Sequence, residues 1–200
     1  EITVNMDGVT EGFEEYADVD LRSYELKKFG SLLAKANFNT VELVFEAPTV
    51  MNGMPLEMDA LQELIREYLP MNVPHAYLGM AKSNYYKHLD PEKTEGYDPR
   101  AKKFLYVYRG LLGARYVLAE QDIEADVRRL AETVDGGDPD LVDELVDHKR
   151  TADEANVPDA LESRAREAIA AQFNALENLP QPDKHGYREA IDDWMRKVRA

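Results

Sequence analysis

Two aspartates separated by one residue, Asp18 and Asp20, have a type and spacing that could do chemistry. They lie in a segment, Ala17 to Arg22, whose alternation of apolar and polar residues predicts a β-strand. Alternation would place both carboxylates on one side of that strand, about 7 Å apart. Carboxylates so placed could bind Mg²⁺, which prefers hard oxygen ligands. The alternative is an acidic strand edge that faces solvent.

A second candidate site is a basic stripe in the segment from Lys102 to Arg115. At 3.6 residues per turn, Lys102, Tyr106 and Arg109 share one face of a helix, with Gly113 one turn further on. Such a stripe could neutralise phosphate groups. The alternative is that these cations pair with Asp and Glu side chains of neighbouring helices. His75 has no partner at ligand spacing, so no metal role is expected for it.

The composition of the 200-residue chain narrows the class of protein. The absence of cysteine excludes disulfides and zinc-thiolate sites, and it fits a reducing, cytoplasmic location. No apolar run approaches the ~20 residues of a membrane span. The net charge of −15 indicates either a protein that does not handle nucleic acid or an acidic protein from a halophile. Because the first residue is Glu1, further sequence is expected upstream.

The elements that must position these side chains follow from the pattern of the whole chain. Residues 1–25 are expected to be extended and to lead into a helix with Ser23 as its N-cap and Asn37 near its end. The segment from Thr40 to Phe45 could be a strand or the start of a buried helix. Periodic apolar residues then predict helices over Asp59–Leu69, His75–Leu89, Ala101–Glu120, Ile123–Glu132, Pro139–Thr151, Pro158–Leu176 and His185–Val198. The sequence thus predicts an α+β fold, with an α/β piece at residues 1–58 and a helical domain at residues 59–200.

Several short motifs follow one another along the chain. The predicted strand with Asp20 runs into a Tyr-x-Leu-x-Lys-Phe helix, here Tyr24 to Phe29, and then into an Asn-containing turn and a Glu-Leu segment, Asn37 to Leu43. The later motifs are an Ala-Tyr-Leu-Gly-hydrophobic-Ala helix at Ala76 to Ala81, Lys102 to Leu112 with an inserted Gly110, and Leu179 to Asp183. In order and spacing, these motifs resemble the predicted nucleotidyltransferases of the DNA polymerase β superfamily, of the type associated with RNA repair. The resemblance spans roughly residues 17–200.

The resemblance implies transfer of a nucleoside monophosphate from an NTP to a hydroxyl acceptor, which could belong to RNA or DNA. In such enzymes three carboxylates hold two Mg²⁺ ions. Asp20 matches the third carboxylate, so it is the implied catalytic residue, and Asp18 is its neighbour. Lys103 and Arg109 match basic positions that could meet triphosphate or nucleic acid, as could Lys102 on the stripe. The first two carboxylates follow a Gly-Ser turn, and that Gly-Ser…Asp-x-Asp segment is expected upstream of Glu1.

Residues 1–58 would then be the C-terminal part of a nucleotidyltransferase α/β domain. Gly30-Ser31 followed by Glu42 superficially matches the missing signature. Val44 stands where its second carboxylate should be, however, and Gly30 falls inside a predicted helix, so this match is rejected. The alternative function is a non-catalytic interaction module, such as half of a toxin–antitoxin pair or a phage accessory protein, that keeps the fold without the chemistry. A Gly-Ser…Asp-x-Asp segment upstream would favour the enzyme.

Overall fold

The computed structural model describes residues 2–5, 12–16, 19–46, 49–52, 58–92, 96–152 and 155–199. The chain divides into two compact units, one of residues 1–73 with 181–200 and one of residues 74–180. These units do not coincide with the predicted division at residue 58, which stays a prediction about domains. None of the described helices is long and apolar enough to cross a membrane.

The first unit contains a four-stranded sheet with strand order β2-β3-β1-β4. β1 pairs in parallel with β3 and with β4, whereas β2 and β3 are antiparallel. The predicted extended region supplies three of the strands, and the fourth lies in a segment that the sequence analysis left without an element. The strands are β1 (Ile2–Asn5), β2 (Gly12–Tyr16), β3 (Val19–Glu25) and β4 (Thr49–Asn52).

The first helix, α1 (Leu26–Leu33), begins three residues after the predicted N-cap. The prediction for Ser23 was wrong, because Ser23 belongs to β3 and is partnered with Gly12 of β2 and Thr3 of β1. Strand pairing on both sides keeps its backbone extended, so it cannot cap a helix. Glu25 takes the N-cap position with an extended backbone and no side-chain cap.

The ambiguous segment after α1 is a helix, α2 (Phe38–Glu46). Asn37 does not merely end α1. Its side-chain oxygen accepts hydrogen bonds from the backbone N–H and the hydroxyl of Thr40, at 3.1 Å each, as an N-cap of α2 does. Val41 and Val44 are fully buried at successive turns. Capping and burial together outweigh the β-branched composition that left a strand open.

A single helix, α3 (Met58–Asn84), replaces the two helices predicted on either side of residue 70. It passes through Pro70 and Pro74, each of which lacks the backbone N–H that a helix interior uses. The Asn72 side chain donates to the Tyr68 carbonyl at 3.2 Å, which adds a bond within this proline-containing turn. α3 continues into a π-helical turn, Tyr85–Leu89.

The predicted helices of the last hundred residues agree with the structure within a few residues at each end. α4 is buried along most of its length and packs against α5, α6 and α7. α5 starts later than predicted because Asp126 caps it, accepting from the Arg128 backbone N–H at 2.8 Å. The helices are α4 (Ala101–Glu120), α5 (Val127–Thr133), α6 (Pro139–Ala152), α7 (Asp159–Ala175) and α8 (Lys184–Arg199).

In the first unit, α8 packs on α1 at a glycine. A Cβ atom added to Gly30 would lie 1.8 Å from the Met195 sulfur, so a side chain there would push α8 away. Gly30 lies inside α1, as the rejection of the Gly-Ser match assumed. Tyr187 and Ile191 are also buried, on the face of α8 that carries Met195.

The Tyr187 hydroxyl is buried and has no hydrogen-bond partner among the described residues. Burial raises the pKa of Tyr187 well above its usual value. An unpaired buried hydroxyl costs free energy, so we expect Tyr187→Phe to raise the free energy of unfolding by about 1 kcal/mol. The ring would still pack on Tyr68, whose ring centroid lies 5.6 Å away. Urea denaturation checks this, and a loss of stability would show that the hydroxyl has a partner.

Asp138 forms hydrogen bonds to three helices of the second unit, α4, α6 and α7. Its carboxylate accepts two hydrogen bonds from Arg164 of α7, at 2.7 and 3.0 Å, and one from the Leu141 backbone N–H at the start of α6. Its own backbone N–H donates to the Tyr108 hydroxyl oxygen of α4 at 3.1 Å. Burial acts to raise the pKa of Asp138, but Arg164 and the Leu141 N–H outweigh it, so that the pKa is lowered.

We expect Asp138→Asn to lower the free energy of unfolding by about 1 kcal/mol at neutral pH, a value discounted for partial solvent screening. Asn preserves the cap, so the variant isolates the charge. A lowered folded-state pKa stabilises the fold above the unfolded value of 3.8, and this contribution disappears as the pH falls through the lowered pKa. The difference between variant and wild type in urea denaturation should therefore shrink in acid below that value. Asp140→Asn, an exposed neighbour with the same charge change, should show a smaller difference; equal differences would contradict the assignment.

Candidate catalytic strand and cationic groove

Asp20 is the second residue of β3, near the start of the strand. Its Cα is partnered with that of Glu15 in the antiparallel β2–β3 ladder. The described pairing of β3 with β1 begins only at Arg22. Two acidic residues, Glu15 and Asp20, are thus register partners in the β2–β3 hairpin. Asp18 lies outside the described residues, so its predicted place beside Asp20 stays a prediction.

Glu15 is an acidic residue that the sequence analysis did not single out. The signal was the short separation of Tyr16 from Val19, because two strands so close in sequence favour a hairpin that brings Glu15 opposite Asp20. In donor chemistry Asp20 fits Mg²⁺, since carboxylate oxygens are its preferred ligands. Among the described residues, however, no group of three or more His, Cys, Asp or Glu side chains could hold a metal ion.

The basic stripe of α4 lies in a groove of about 670 Å³ in the second unit. Lys102, Tyr106 and Arg109 line it together, as the helical spacing predicted. The groove also receives Lys149 and Arg150 from the last turn of α6. Its remaining lining residues are apolar: Leu105, Val127 and Val146. We call this site the cationic groove, since four cations and no carboxylate line it.

Three of the groove cations, Lys102, Lys149 and Arg150, are not held in ion pairs within the described residues. Arg109 is half-buried, and one of its guanidinium nitrogens donates to the Ala125 carbonyl at 3.5 Å, which orients the side chain. In a chain with a net charge of −15, four cations so placed form a local positive site.

Lys103 and Gly113 do not line the groove, although Lys103 follows Lys102 in sequence and Gly113 lies one helical turn after Arg109. The Lys103 ammonium lies 3.8 Å from Asp98, which also binds Arg100 through hydrogen bonds of 2.5 and 2.7 Å. Pairing with a nearby carboxylate, the alternative considered for the stripe, therefore describes Lys103. Burial, together with the nearby Lys103 charge, lowers the pKa of His88. Gly113 is buried against the Tyr77 ring.

Lys149 and Arg150 are groove residues that the sequence analysis missed. They stand in a predicted helix about forty positions after Arg109, and only the packing of α6 on α4 brings them to the stripe. Their sequence signal was weak, because basic residues are common in the last turn of any helix, where they interact favourably with the helix dipole.

His75, for which no metal role was expected, has a ring nitrogen 2.7 Å from the Pro180 carbonyl oxygen.

Comparison with known proteins identifies the family. The family model RlaP, described as RNA repair pathway DNA polymerase beta family, matches residues 6–197, nearly the whole chain. Searches of curated proteins and of solved structures gave no match. The family match confirms the resemblance inferred from the Asp20 segment, the Tyr24 to Phe29 motif and the later segments. The chain belongs to the RNA repair pathway DNA polymerase beta family.

Proposed function

We propose that this chain forms the body of a Mg²⁺-dependent nucleotidyltransferase that moves a nucleoside monophosphate from an NTP to a hydroxyl acceptor in RNA repair. The observation that carries the proposal is the family match over residues 6–197, which includes the strand of Asp20. In this proposal the four-stranded sheet is the part of a catalytic sheet that follows the Gly-Ser…Asp-x-Asp segment.

The proposed chemistry forms one bond and breaks another. The acceptor hydroxyl oxygen bonds to the α-phosphorus of the NTP and gives up its proton to water. The bond from that phosphorus to the oxygen that bridges it to the β-phosphorus breaks, and pyrophosphate leaves. Asp20 would hold Mg²⁺ through a carboxylate oxygen, and strand pairing with Glu15 would fix its backbone position. Bound Mg²⁺ would neutralise charge on the phosphoryl oxygens. Asp18 is proposed as a further ligand on the strength of its spacing alone.

The cationic groove is proposed as an anion-binding site of the same protein. Its residues Lys102 and Arg109 were predicted to meet phosphates, and the absence of carboxylates from its lining supports that role. Lys103 is not part of this proposal, because it pairs with Asp98.

A transfer assay tests the proposed function. The full-length protein is incubated with each of the four NTPs, labelled at the α-phosphate, and an RNA that ends in a 3′-hydroxyl. We expect label on the RNA in the presence of Mg²⁺ and none after chelation with EDTA. Absence of transfer to this RNA with all four NTPs, from a protein that carries the Gly-Ser…Asp-x-Asp segment, would favour the non-catalytic interaction module instead.

A further inference from the structure

We infer that the cationic groove binds a single strand of RNA, with the phosphates on its four cations and a base stacked on Tyr106. The inference rests on the proposed function only for the choice of RNA as the nucleic acid. Its physical basis is the chemistry of the groove, whose lining combines cations, an exposed aromatic ring and apolar side chains. Sites for single-stranded nucleic acid combine a positive groove with aromatic stacking platforms.

The spacing of the cations suits a chain of phosphates better than one nucleotide. Lys102 and Arg109 are seven residues apart, which is about 10 Å along α4 at 1.5 Å per residue. Lys149 and Arg150 add charge from a second helix, α6. The phosphates of one NTP are joined through single bridging oxygens and need a compact set of cations. A strand instead presents one phosphate for each nucleotide, so its charges are spread along the groove.

Tyr106 lies on the same face of α4 as the two cations, one turn after Lys102 and one turn before Arg109. It is one of the few large apolar side chains on the described surface, with 42% of the residue exposed. A base stacked on this ring would remove that surface from water while its phosphates stay beside the cations. Leu105, Val127 and Val146 would contact the faces of the base and ribose.

The charge of the whole chain limits where RNA can lie. With 39 acidic and 24 basic residues, most of the surface repels a polyanion. A site for RNA must therefore be local, and the groove offers four cations with no carboxylate among its lining residues. We expect binding of a short segment, with an affinity that depends strongly on these few side chains.

Fluorescence anisotropy with a labelled single-stranded RNA of about 12 nucleotides tests the inference on the full-length protein. Lys149→Gln/Arg150→Gln should lower the affinity about tenfold at ~0.15 M salt and reduce the slope of log K against log[salt] by about 1.4, the values for two lost phosphate contacts. Tyr106→Ala should lower the affinity at least about fivefold, whereas Tyr106→Phe, which keeps the ring, should bind as the wild type does.

The matched control is Lys184→Gln/Arg188→Gln on α8, two exposed residues with the same change in charge. Equal losses from both double variants would mean that only net charge matters, and the inference would be wrong. It would also be wrong if the groove variant lost affinity for ATP and kept its affinity for RNA, because the groove would then be a nucleotide site. The RNA-binding measurement contains neither Mg²⁺ nor NTP, so its failure is independent of whether the protein transfers nucleotides.

Discussion

Replacement of Asp20 by Asn is expected to lower the rate of nucleotidyl transfer by the full-length protein at least about 100-fold, the effect of losing electrostatic stabilisation of a transition state. Asn has the shape of Asp but lacks the negative charge that binds Mg²⁺. The fold should be unchanged or slightly more stable, since the substitution removes the charge from one of two acidic residues that are register partners, Asp20 and Glu15. A labelled-nucleotide transfer assay measures the rate, and a thermal melt reports the stability.

The comparison for Asp20 is Asp18→Asn in the same background, which we expect to be milder. A wild-type rate for Asp20→Asn with no activity in Asp18→Asn would show that the catalytic carboxylate has been assigned to the wrong residue. If both variants keep full activity, this strand is not part of the catalytic site. Either result leaves the family membership of the chain intact and overturns only the site.

Phe104→Ala is expected to lower the free energy of unfolding by about 3–5 kcal/mol, the usual range for deleting a buried aromatic side chain. Phe104 is fully buried in α4, and the Arg166 guanidinium lies 5.7 Å from its ring centroid. It stands two residues after Lys102, about 200° round the helix, and so anchors the face of α4 opposite the groove. Urea denaturation followed by circular dichroism measures the loss.

Two variants make the Phe104 prediction specific. Phe104→Leu keeps much of the volume and should cost less than about 1.5 kcal/mol. Tyr106→Ala, two residues away but exposed, should change the stability by no more than about 0.5 kcal/mol. A cost below about 1 kcal/mol for Phe104→Ala would contradict the described packing of α4.

The helices of the second unit could be predicted because their signals are local. α4 carries apolar residues at helical spacing over twenty residues and follows Pro99, and its predicted and observed bounds are the same. The less regular segments needed information from elsewhere in the fold. α2 depends on the Asn37 cap and on buried Val41, and α3 continues through two prolines that would ordinarily end a helix.

In the candidate site, too, sequence spacing predicted some features, whereas others depend on packing between helices. Helical periodicity alone put Lys102, Tyr106 and Arg109 on one face, and they line one groove. Periodicity could not show that Lys103 would pair with Asp98, or that α6 would bring Lys149 to the groove, because both depend on packing between elements. The role of Asp20 came from the family pattern, since an acidic pair on a strand is too common to indicate catalysis by itself.

The position of the transferred label shows directly whether this protein is a nucleotidyltransferase. The full-length protein is given Mg²⁺, a 3′-hydroxyl RNA and an NTP labelled either at the α- or at the γ-phosphate. We expect the α-label to appear on the RNA, with an equal amount of pyrophosphate released, and the γ-label never to appear there. Transfer of the γ-label, or release of inorganic phosphate without any labelled RNA, would contradict the proposed function.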